Sequence, residues 1–406
     1  MVIGLDVHKH SVYAGVVDDK NNRIDEKNME NDIGILTEFL NIYREEDMVI
    51  ESSTSGKYLA KVLLNLGYRI HLIDPRKIPG MPKNTKKTDR EDAFRLAELF
   101  RLNALTEIYI PSEEIEDIRS LVYYRRSLGR EMTKKKNKIS SLLTAYGIII
   151  HATDTFGKRG LREIENNYGK LNKSDKIILR SLLSDIAGIR NREMEIEKEI
   201  ADISSDNENI KLLMTIPGIS FYTAAGIYSV IGDINRFARK DKLASYSGLV
   251  PSEYSSGERI VKGHITKQGP SILRFFLVES AHIAIKYTKK FKIKYNKIVK
   301  RLGKKRSIVA VARMLIETIY AMLKEGKEFM DIEKDGNSKA VKAGNDKTGN
   351  NKICPNDIKM ALYYQRLSQM KNRKISRMEL ASRFRPDLMA IEDITKLIYN
   401  RRIKKC

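Results

Sequence analysis

"VIGLDV", residues 2 to 7, is an apolar stretch with a single carboxylate near its carboxyl end, and a second apolar stretch, "SVYAGVVD", follows at residues 11 to 18. Both are rich in β-branched residues and a short polar segment separates them, which predicts two hairpin strands; a weaker third strand is predicted at 23 to 29. A carboxylate has no packing role in an apolar strand, and its burial is costly. Asp6 is therefore the first candidate functional residue.

Strands and helices alternate after this opening. Apolar residues at helical spacing predict a helix over residues 31 to 45 and another over "SGKYLAKVLLNLG", which ends at Gly67. "MVIES" (48 to 52) and "RIHLID" (69 to 74) are typical of buried strands. An opening hairpin followed by alternating strands and helices predicts an α/β domain with a mixed sheet flanked by helices. Several unrelated superfamilies share that architecture, so it does not name a function.

Three more acids join Asp6. Glu51 ends the strand "MVIE", whereas Asp89 and Asp92 stand three apart at the start of a predicted helix in "KKTDREDAFRLAEL" (86 to 99). Helix starts favour acids in any case, and Asp89 could simply be the N-cap. Asp6 and Glu51, however, are at the carboxyl ends of strands, the edge where α/β sheets form open sites. Four converging carboxylates predict a Mg²⁺ or Mn²⁺ site suited to phosphodiester chemistry.

The charge balance indicates a nucleic-acid partner. The 406 residues include 75 Lys and Arg against 52 Asp and Glu, a formal charge of +23 that calls for an acidic partner. Cations near the acids are predicted to hold flanking phosphates, although a solvated loop would also carry them. These cations are Arg76, Lys77, Lys83, Lys86, Lys87 and Arg90.

Neither a membrane segment nor a disulfide framework is predicted. The most apolar segment, "ILRFFLVESAHIAI", is short and interrupted by charges, and no signal peptide opens the chain, so we expect a cytoplasmic protein that does not enter a membrane. Cys354 and Cys406 are the only cysteines and the six histidines are scattered, which argues against a zinc site.

The rest of the chain is predicted to be mainly helical. A long basic helix is predicted after Pro111. Apolar residues at helical spacing from Leu179 to Ile203 predict a second long helix. The two helices would form an antiparallel hairpin or coiled coil, either within one chain or between chains. The Gly-, Asn- and Lys-rich run at 333 to 352 is a predicted linker. The expected domains are 1–110 (α/β, catalytic), 111–210 (long helical hairpin), 211–330 (helical), 331–354 (linker) and 355–406 (basic accessory tail).

Two segments have the composition of nucleic-acid contacts. "TIPGISFYTAAGIYSVIG" (215 to 232) contains a Pro-Gly turn typical of helix-hairpin-helix elements, which present N–H groups to phosphate, although a plain helical turn is the alternative. "KYTKKFKIKYNKIVKRLGKKR" (286 to 306) interleaves Tyr287, Phe291 and Tyr295 with eleven Lys and Arg residues. That mixture suits base stacking and backbone tracking, or else a solvated basic helix.

A serine-rich segment is the candidate nucleophile. "YSGLVPSEYSSGERIVKGHITKQGPSILRFFLVESA" (246 to 281) places Ser255, Ser256 and Gly257 in a predicted flexible polar loop. A hydroxyl beside a glycine, with cations nearby, suits attack on a phosphate, but an ordinary turn has the same composition. The nearby cations are Lys262, Lys267 and Arg274.

Three blocks of the N-terminal region carry a family resemblance. "MVIGLDVHK", "VIESSTSGKYLAKVL" and "KTDREDAFRLAEL" resemble, in order and spacing, the motifs of the DEDD transposases of the insertion-sequence 110/1111 family. The resemblance implies a ribonuclease-H-like N-terminal domain close to the RuvC-type Holliday-junction resolvases. It also implies that Asp6, Glu51, Asp89 and Asp92 are the four metal-binding acids.

The serine segment is similar to the C-terminal transposase domain of the same family. There the nucleophile is a serine directly before a glycine, upstream of Lys-x-Gly and Leu-Arg, and the match falls on Ser256, with Ser255 as the alternative. The resemblance implies transposition through a covalent serine-phosphate intermediate, at a site that combines acids and serine from two domains.

The same resemblance implies the partners of the protein. They are double-stranded DNA at the element ends and the target, a structured non-coding guide RNA, and further copies of the chain in a dimer or tetramer, in a prokaryotic cytoplasm at the nucleoid. Two other functions stay open on the residues alone: a metal-dependent junction nuclease without a serine nucleophile, and a non-catalytic nucleic-acid-binding protein.

Overall fold

The computed structural model describes residues 1–78, 88–256 and 259–331. The predictions for Lys83, Lys86, Lys87, the linker, the tail and both cysteines lie outside the described residues. The chain divides into two compact units, Met1–Ser112 and a second that begins at Glu113.

A five-stranded mixed sheet forms the first unit. Strands β1 (Val2–Val7), β2 (Ser11–Val17) and β3 (Arg23–Glu30) run antiparallel in succession, whereas β4 (Asp47–Glu51) and β5 (Arg69–Ile73) run parallel to β1. The strand order is β3-β2-β1-β4-β5. The predicted mixed sheet is confirmed, and its order is that of the ribonuclease-H-like fold.

Helices flank both faces of the sheet. Helices α1 (Ile33–Leu40) and α2 (Thr54–Asn65) cover one face, and α3 (Asp89–Arg101) covers the other. The helix predicted over 31 to 45 is shorter than expected, because Asp32 caps its start and a separate 3₁₀ turn follows at Asn41–Tyr43.

The alternation of side chains along β1 explains its apolar sequence. Ile3 and Leu5 belong to the core under α1 and α2, whereas Val2 belongs to the core under α3. A strand buried on both faces needs apolar residues at nearly every position. Side chains alternate between the two faces along a strand, so Asp6 lies on the same face as Val2 and Gly4, the face that α3 covers.

A glycine allows α3 to lie directly against the central strand. A Cβ atom at Gly4 would fall 1.8 Å from the carbonyl oxygen of Ala93 and 3.0 Å from the amide nitrogen of Ala97. On β2, Gly15 similarly accommodates the ring of Phe94. Backbone-to-backbone packing of this kind fixes the height and the register of α3 over the sheet.

The second unit opens with a long helical hairpin formed within the chain. Helix α4 (Glu113–Ala145) runs antiparallel to α6 (Lys173–Ser204), and the short α5 (Lys158–Asn166) packs at the far end. The antiparallel register is visible in two ion pairs: Arg125 meets Glu193 at 2.7 Å, and Lys135 meets Asp185 at 2.5 Å. The sequence allowed pairing within or between chains, and the structure shows pairing within one.

As far as Asp331, where the described residues end, the remainder of the second unit is a helical core with one β-hairpin. A single apolar cluster joins the start of α4 to the helices that follow. The elements are α7 (Glu208–Met214), α8 (Phe221–Ile231), α9 (Lys240–Tyr246), β6 (Pro251–Ser256), β7 (Arg259–Ile265), α10 (Ser271–Tyr287) and α11 (Lys289–Glu325), the last interrupted at Gly303. None of the helices within the described ranges is both long and apolar enough to span a membrane.

The expectation of a flexible loop around the serines was wrong. The backbone of Ser255 and Ser256 belongs to β6, and these residues pair with Ile260 and Arg259 of β7. Cross-strand pairing orders the backbone at the two serines, which a composition rich in Ser and Gly does not reveal. The prediction for Gly257 lies outside the described residues.

Candidate functional site

Asp6, His8 and Asp89 form a compact group at the carboxyl end of β1. The Nε2 atom of His8 lies 3.2 Å from Oδ2 of Asp6 and 3.4 Å from Oδ1 of Asp89. One donor atom from each residue lies within 4.8 Å of the other two. The Asp6 side chain is 14% exposed, whereas those of His8 and Asp89 are 52% and 57% exposed, so the group is anchored in the protein and open to solvent.

The direction of α3 explains how Asp89 reaches Asp6. Ala93 lies over Gly4, and Asp89, one turn earlier on α3, meets the residues that follow Gly4 on β1. The helix thus runs antiparallel to β1, and its N-terminus points toward the acids, where the helix dipole favours negative charge. Thr88 is the N-cap, since its side chain accepts a hydrogen bond from the Glu91 N–H, so the capping role considered for Asp89 belongs to its neighbour.

Ion pairs fasten α3 to β3. The guanidinium of Arg23 donates two hydrogen bonds to Glu91, at 2.8 and 2.9 Å, and a third to Glu98 at 3.2 Å. Arg90 on α3 reaches back to Glu26 at 2.6 Å. These bonds join residues about 70 positions apart and hold the helix end that carries the acids.

Two cations predicted to hold phosphates are paired with carboxylates of the protein, although both side chains are exposed to solvent. Arg90 bonds to Glu26, and Arg76 donates two hydrogen bonds, at 2.9 and 3.0 Å, to the buried carboxylate of Asp74. Asp74 also caps the 3₁₀ turn that Arg76 belongs to. The local sequence does not distinguish such ion pairing from phosphate binding.

The electrostatics of Asp6 suit a cation site. Burial raises the pKa of Asp6 above its ordinary value, and the charges of Asp89 and Asp92 raise this pKa further, whereas His8 lowers it. Crowded carboxylates repel one another, and a bound cation relieves that repulsion. Two carboxylates and one imidazole are donors that a divalent metal accepts, so the residues present fit such an ion.

Asp92 and Glu51 lie on the side of the sheet that α3 covers, outside the compact group of Asp6, His8 and Asp89. Asp92 is half-buried on the turn of α3 that follows Asp89, and its charge acts on Asp6. Glu51 follows Ile50, which pairs with Leu5 across the parallel strands, so Glu51 extends β4 beside Asp6. Glu51 is two residues after Val49, so both side chains lie on the same face of β4. Val49 belongs to the core under α3, and Glu51 is therefore on the same face of the sheet as Asp6.

His8 is the site residue that the sequence did not single out. Its signal is the spacing Asp6-x-His8 at the end of a strand, which puts both side chains on one face. A lone histidine in a polar turn is unremarkable until α3 brings Asp89 against it.

Around the serine hairpin, Arg274 has a structural role. Its Nη1 atom donates to the carbonyl oxygens of Ser247, Gln268 and Gly269, at 3.0 to 3.3 Å, so its prediction as a phosphate-binding cation is not supported by its contacts. Gly269, with a φ of 89°, approaches so closely that a Cβ atom would lie 1.9 Å from the Tyr246 carbonyl oxygen. The Lys-x-Gly and Leu-Arg motifs thus fasten the segment after the hairpin to the end of α9.

The aromatic residues of the basic segment have different environments. Phe291 is fully buried and stacks on Phe329, with ring centroids 5.8 Å apart, so its predicted role in stacking on nucleic acid was wrong. Tyr295 is half-buried against the same core. Tyr287, at 73% exposure, is an open aromatic surface among the cations.

The Pro-Gly segment joins α7 to α8 by a tight turn. Gly218 adopts a φ of 101° and packs against Ile283 and the carbonyl oxygen of Ser280, where a side chain would collide. The Ser220 side chain accepts a hydrogen bond from the Thr223 N–H at the start of α8. A tight turn between two helices agrees with both alternatives considered from the sequence, the helix-hairpin-helix element and the plain helical turn.

Two transposase families match separate parts of the chain. A DEDD transposase model of the IS110 type, described as "Transposase", matches residues 3–148, and a second, "Transposase IS116/IS110/IS902 family", matches residues 210–296. The first match contains the four acids and His8, and the second contains Ser256.

Curated relatives agree with both matches. The transposase for insertion sequence element IS1111A of Coxiella burnetii is 26% identical over 281 residues, covering 68% of this chain and 77% of the relative. The transposase for IS1328 of Yersinia enterocolitica is 26% identical over 298 residues, covering 70% and 83%. The chain therefore belongs to the IS110 family of insertion-sequence transposases, enzymes that act on DNA.

Proposed function

We propose that this transposase cuts and exchanges DNA strands with divalent-metal-binding acids and a serine nucleophile. The observation that carries the proposal is the meeting of Asp6 and Asp89 at one edge of the sheet, with Asp92 and Glu51 on the same face. The buried Asp6 has no packing role in its strand, so the cost of crowding its charge against that of Asp89 supports a bound cation.

The acids are the ligands in this mechanism. Asp6, Glu51, Asp89 and Asp92 would hold Mg²⁺ or Mn²⁺, and a metal bound there stabilises negative charge on the phosphoryl oxygens of the DNA. The rigid placement of α3 on β1 pre-organises these ligands, so that little reorganisation is needed when the substrate binds.

Ser256 is the proposed nucleophile. Its hydroxyl oxygen forms a bond to the DNA phosphorus while the bond from phosphorus to one deoxyribose oxygen breaks. The proton lost by the serine is balanced by the proton that the leaving oxygen gains, and a free DNA hydroxyl results. Attack of another strand's hydroxyl on the serine phosphate reverses these bond changes and completes the exchange.

Comparing the two neighbouring serines tests the covalent step. The full-length protein would be incubated with labelled element-end DNA, Mg²⁺ and the RNA that co-purifies with it, and the covalent adduct would be detected on a denaturing gel. We expect Ser256→Ala to abolish the adduct and Ser255→Ala, its matched control, to retain it. Strand cutting by Ser256→Ala at the wild-type rate would identify a metal-dependent nuclease without a serine nucleophile.

The acids need a separate test. Asp6→Asn keeps the size of the side chain and removes its charge, so we expect loss of both cutting and metal binding. Transposition by Asp6→Asn at the wild-type frequency would show that the acids are not catalytic, and it would favour a nucleic-acid-binding role.

We propose further that an element-encoded RNA guides the protein to its DNA. The formal charge of +23 and the exposed Tyr287 among lysines and arginines suit a phosphate-rich partner with unpaired bases. Sequencing the RNA that co-purifies with the protein tests this, followed by strand exchange with and without that RNA. Exchange that proceeds equally without RNA would contradict guidance.

A further inference from the structure

The backbone on both sides of the His8 side chain is fixed. The His8 N–H donates to the carbonyl oxygen of Ser11 at 2.9 Å, and its carbonyl oxygen accepts a hydrogen bond from Asn31 Nδ2 at 2.8 Å. The ring therefore projects from an ordered turn, on the same face as Asp6, rather than from a loose loop.

The donor distances around His8 match those of neighbouring ligands on one ion. A six-coordinate metal with bonds of about 2.1 to 2.2 Å holds adjacent donor atoms roughly 3 Å apart. The Nε2 atom of His8 lies 3.2 Å from Asp6 Oδ2 and 3.4 Å from Asp89 Oδ1, close to that spacing.

Hydrogen bonding alone explains this arrangement less well. The Nε2 atom carries at most one proton and cannot make two good hydrogen bonds with it. The contact with Asp6 meets hydrogen-bond geometry, whereas the 3.4 Å separation from Asp89 is longer than an ordinary N–H···O bond. A cation between the three donors would satisfy all of them.

We propose that His8 Nε2 is a direct nitrogen ligand of the metal held by Asp6 and Asp89, and that it makes the centre favour Mn²⁺ over Mg²⁺. This inference rests on the proposed function, which supplies the metal. Mg²⁺ prefers oxygen ligands and keeps several of its waters. Mn²⁺ binds imidazole nitrogen more tightly than Mg²⁺ does. The specificity of the centre thus depends on a residue outside the four acids.

Pulsed electron paramagnetic resonance tests the nitrogen ligand without measuring catalysis. The full-length protein would be loaded with one equivalent of Mn²⁺, and the electron spin-echo modulation from ¹⁴N would be recorded. We expect ¹⁴N modulation in the wild type and in His10→Gln, and its loss in His8→Gln. His10 is the matched control, because it is an exposed histidine two residues further along the chain.

Metal titrations measure the selectivity. We expect His8→Gln to weaken Mn²⁺ binding by about tenfold or more, since even the residues that support metal ligands contribute that much. Mg²⁺ affinity should change less, so the ratio of the two affinities falls. Thermal unfolding of the apo protein checks that the variant is folded.

The Asp6→Asn variant separates this inference from the metal centre itself. If Asp6→Asn loses Mn²⁺ but ¹⁴N modulation is absent from the wild type, or persists in His8→Gln, the ligand role of His8 is overturned and the metal centre stands. If the wild type binds no Mn²⁺, both are overturned.

Discussion

Gly4 sets how closely α3 approaches the sheet. A Cβ atom there would lie 1.8 Å from the Ala93 carbonyl oxygen, an atom that cannot move without the helix. We expect Gly4→Ala to lower the free energy of unfolding by about 3 kcal/mol, the cost of strong overpacking. Mn²⁺ affinity should fall as well, because Asp89 moves away from Asp6. Urea unfolding and metal titration measure the two effects.

Gly169 supplies the control for this substitution. A Cβ atom at Gly169 would meet nothing within 4 Å, so Gly169→Ala should leave both stability and metal affinity nearly unchanged. If Gly4→Ala kept wild-type stability and metal affinity, contact of α3 with β1 would not be what positions Asp89.

Substitutions of Phe291 and Tyr287 should have different effects, the first on stability and the second on nucleic-acid binding. Phe291→Ala removes a fully buried ring that stacks on Phe329, and we expect it to cost about 3 to 5 kcal/mol of stability. Tyr287→Ala removes a ring that is 73% exposed, so stability should change little. Binding of single-stranded RNA or DNA should weaken by about 1 to 3 kcal/mol in the Tyr287 variant, the value of one stacked base.

Thermal unfolding and binding of a labelled oligonucleotide distinguish the two variants. A Tyr287→Ala protein that binds as tightly as the wild type would remove this residue from the nucleic-acid surface. Equal stability of Phe291→Ala and the wild type would contradict the burial of the ring.

At the scale of residues, the sequence singled out Asp6 and Asp89, which the structure brings together, but not His8 beside them. Asp6 is the one charged residue in the otherwise apolar stretch "VIGLDV", so it could be recognised as unusual without knowing the fold. The role of His8, the burial of Phe291 and the carbonyl contacts of Arg274 depend on residues brought together by folding. Local composition does not contain that information.

At the scale of elements, Arg125 holds the two long helices together. It bonds from α4 to Glu193 at 2.7 Å and to Glu197 at 2.8 Å on α6, and the Glu193 side chain is only 14% exposed. Arg125→Met leaves a buried carboxylate without its partner, so we expect a loss of about 3 kcal/mol in urea unfolding.

Lys135→Met is the control on the same helix. Its partner, Asp185, is 42% exposed, and an exposed ion pair contributes about 1 kcal/mol or less. Equal losses in the two variants would show that burial of Glu193 does not determine the effect.

The Arg125→Met loss should depend on pH. Burial already raises the pKa of Glu193 above its ordinary value, and removing Arg125, whose charge lowers it, raises it further. A raised carboxyl pKa favours folding at low pH, and this contribution is lost as pH rises through the folded pKa. The loss should therefore be larger at about pH 8 than at about pH 5, where Glu193 is closer to its protonated form. A loss independent of pH would indicate missing packing rather than an unpaired charge.

The elements themselves were predicted with uneven success for physical reasons. Apart from their acids, β1 and β4 are apolar because both faces are buried, and that pattern is visible locally. The hairpin of β6 and β7 has polar strands, as in "PSEYSS", so it lacks the apolar alternation from which strands are predicted. Its pairing is a property of two segments together.

At the scale of the whole molecule, the first unit has the means to fold alone. Its core is built from its own residues, from Val2 to Ile110, in one cluster on each face of the sheet. A length of about 110 residues is common for an independent domain. All four acids and His8 lie within it, so the proposed metal centre uses no residue of the second unit.

We therefore expect residues 1–112, expressed alone, to unfold in a single cooperative transition and to bind Mn²⁺ with nearly the affinity of the full chain. The fragment should form no covalent adduct with element-end DNA, because Ser256 is absent. Circular dichroism during urea unfolding, a Mn²⁺ titration and the denaturing-gel assay measure these three properties. A folded fragment that fails to bind Mn²⁺ would mean that the metal centre needs ligands from the second unit, since β1, β4 and α3 would all be present in their native arrangement.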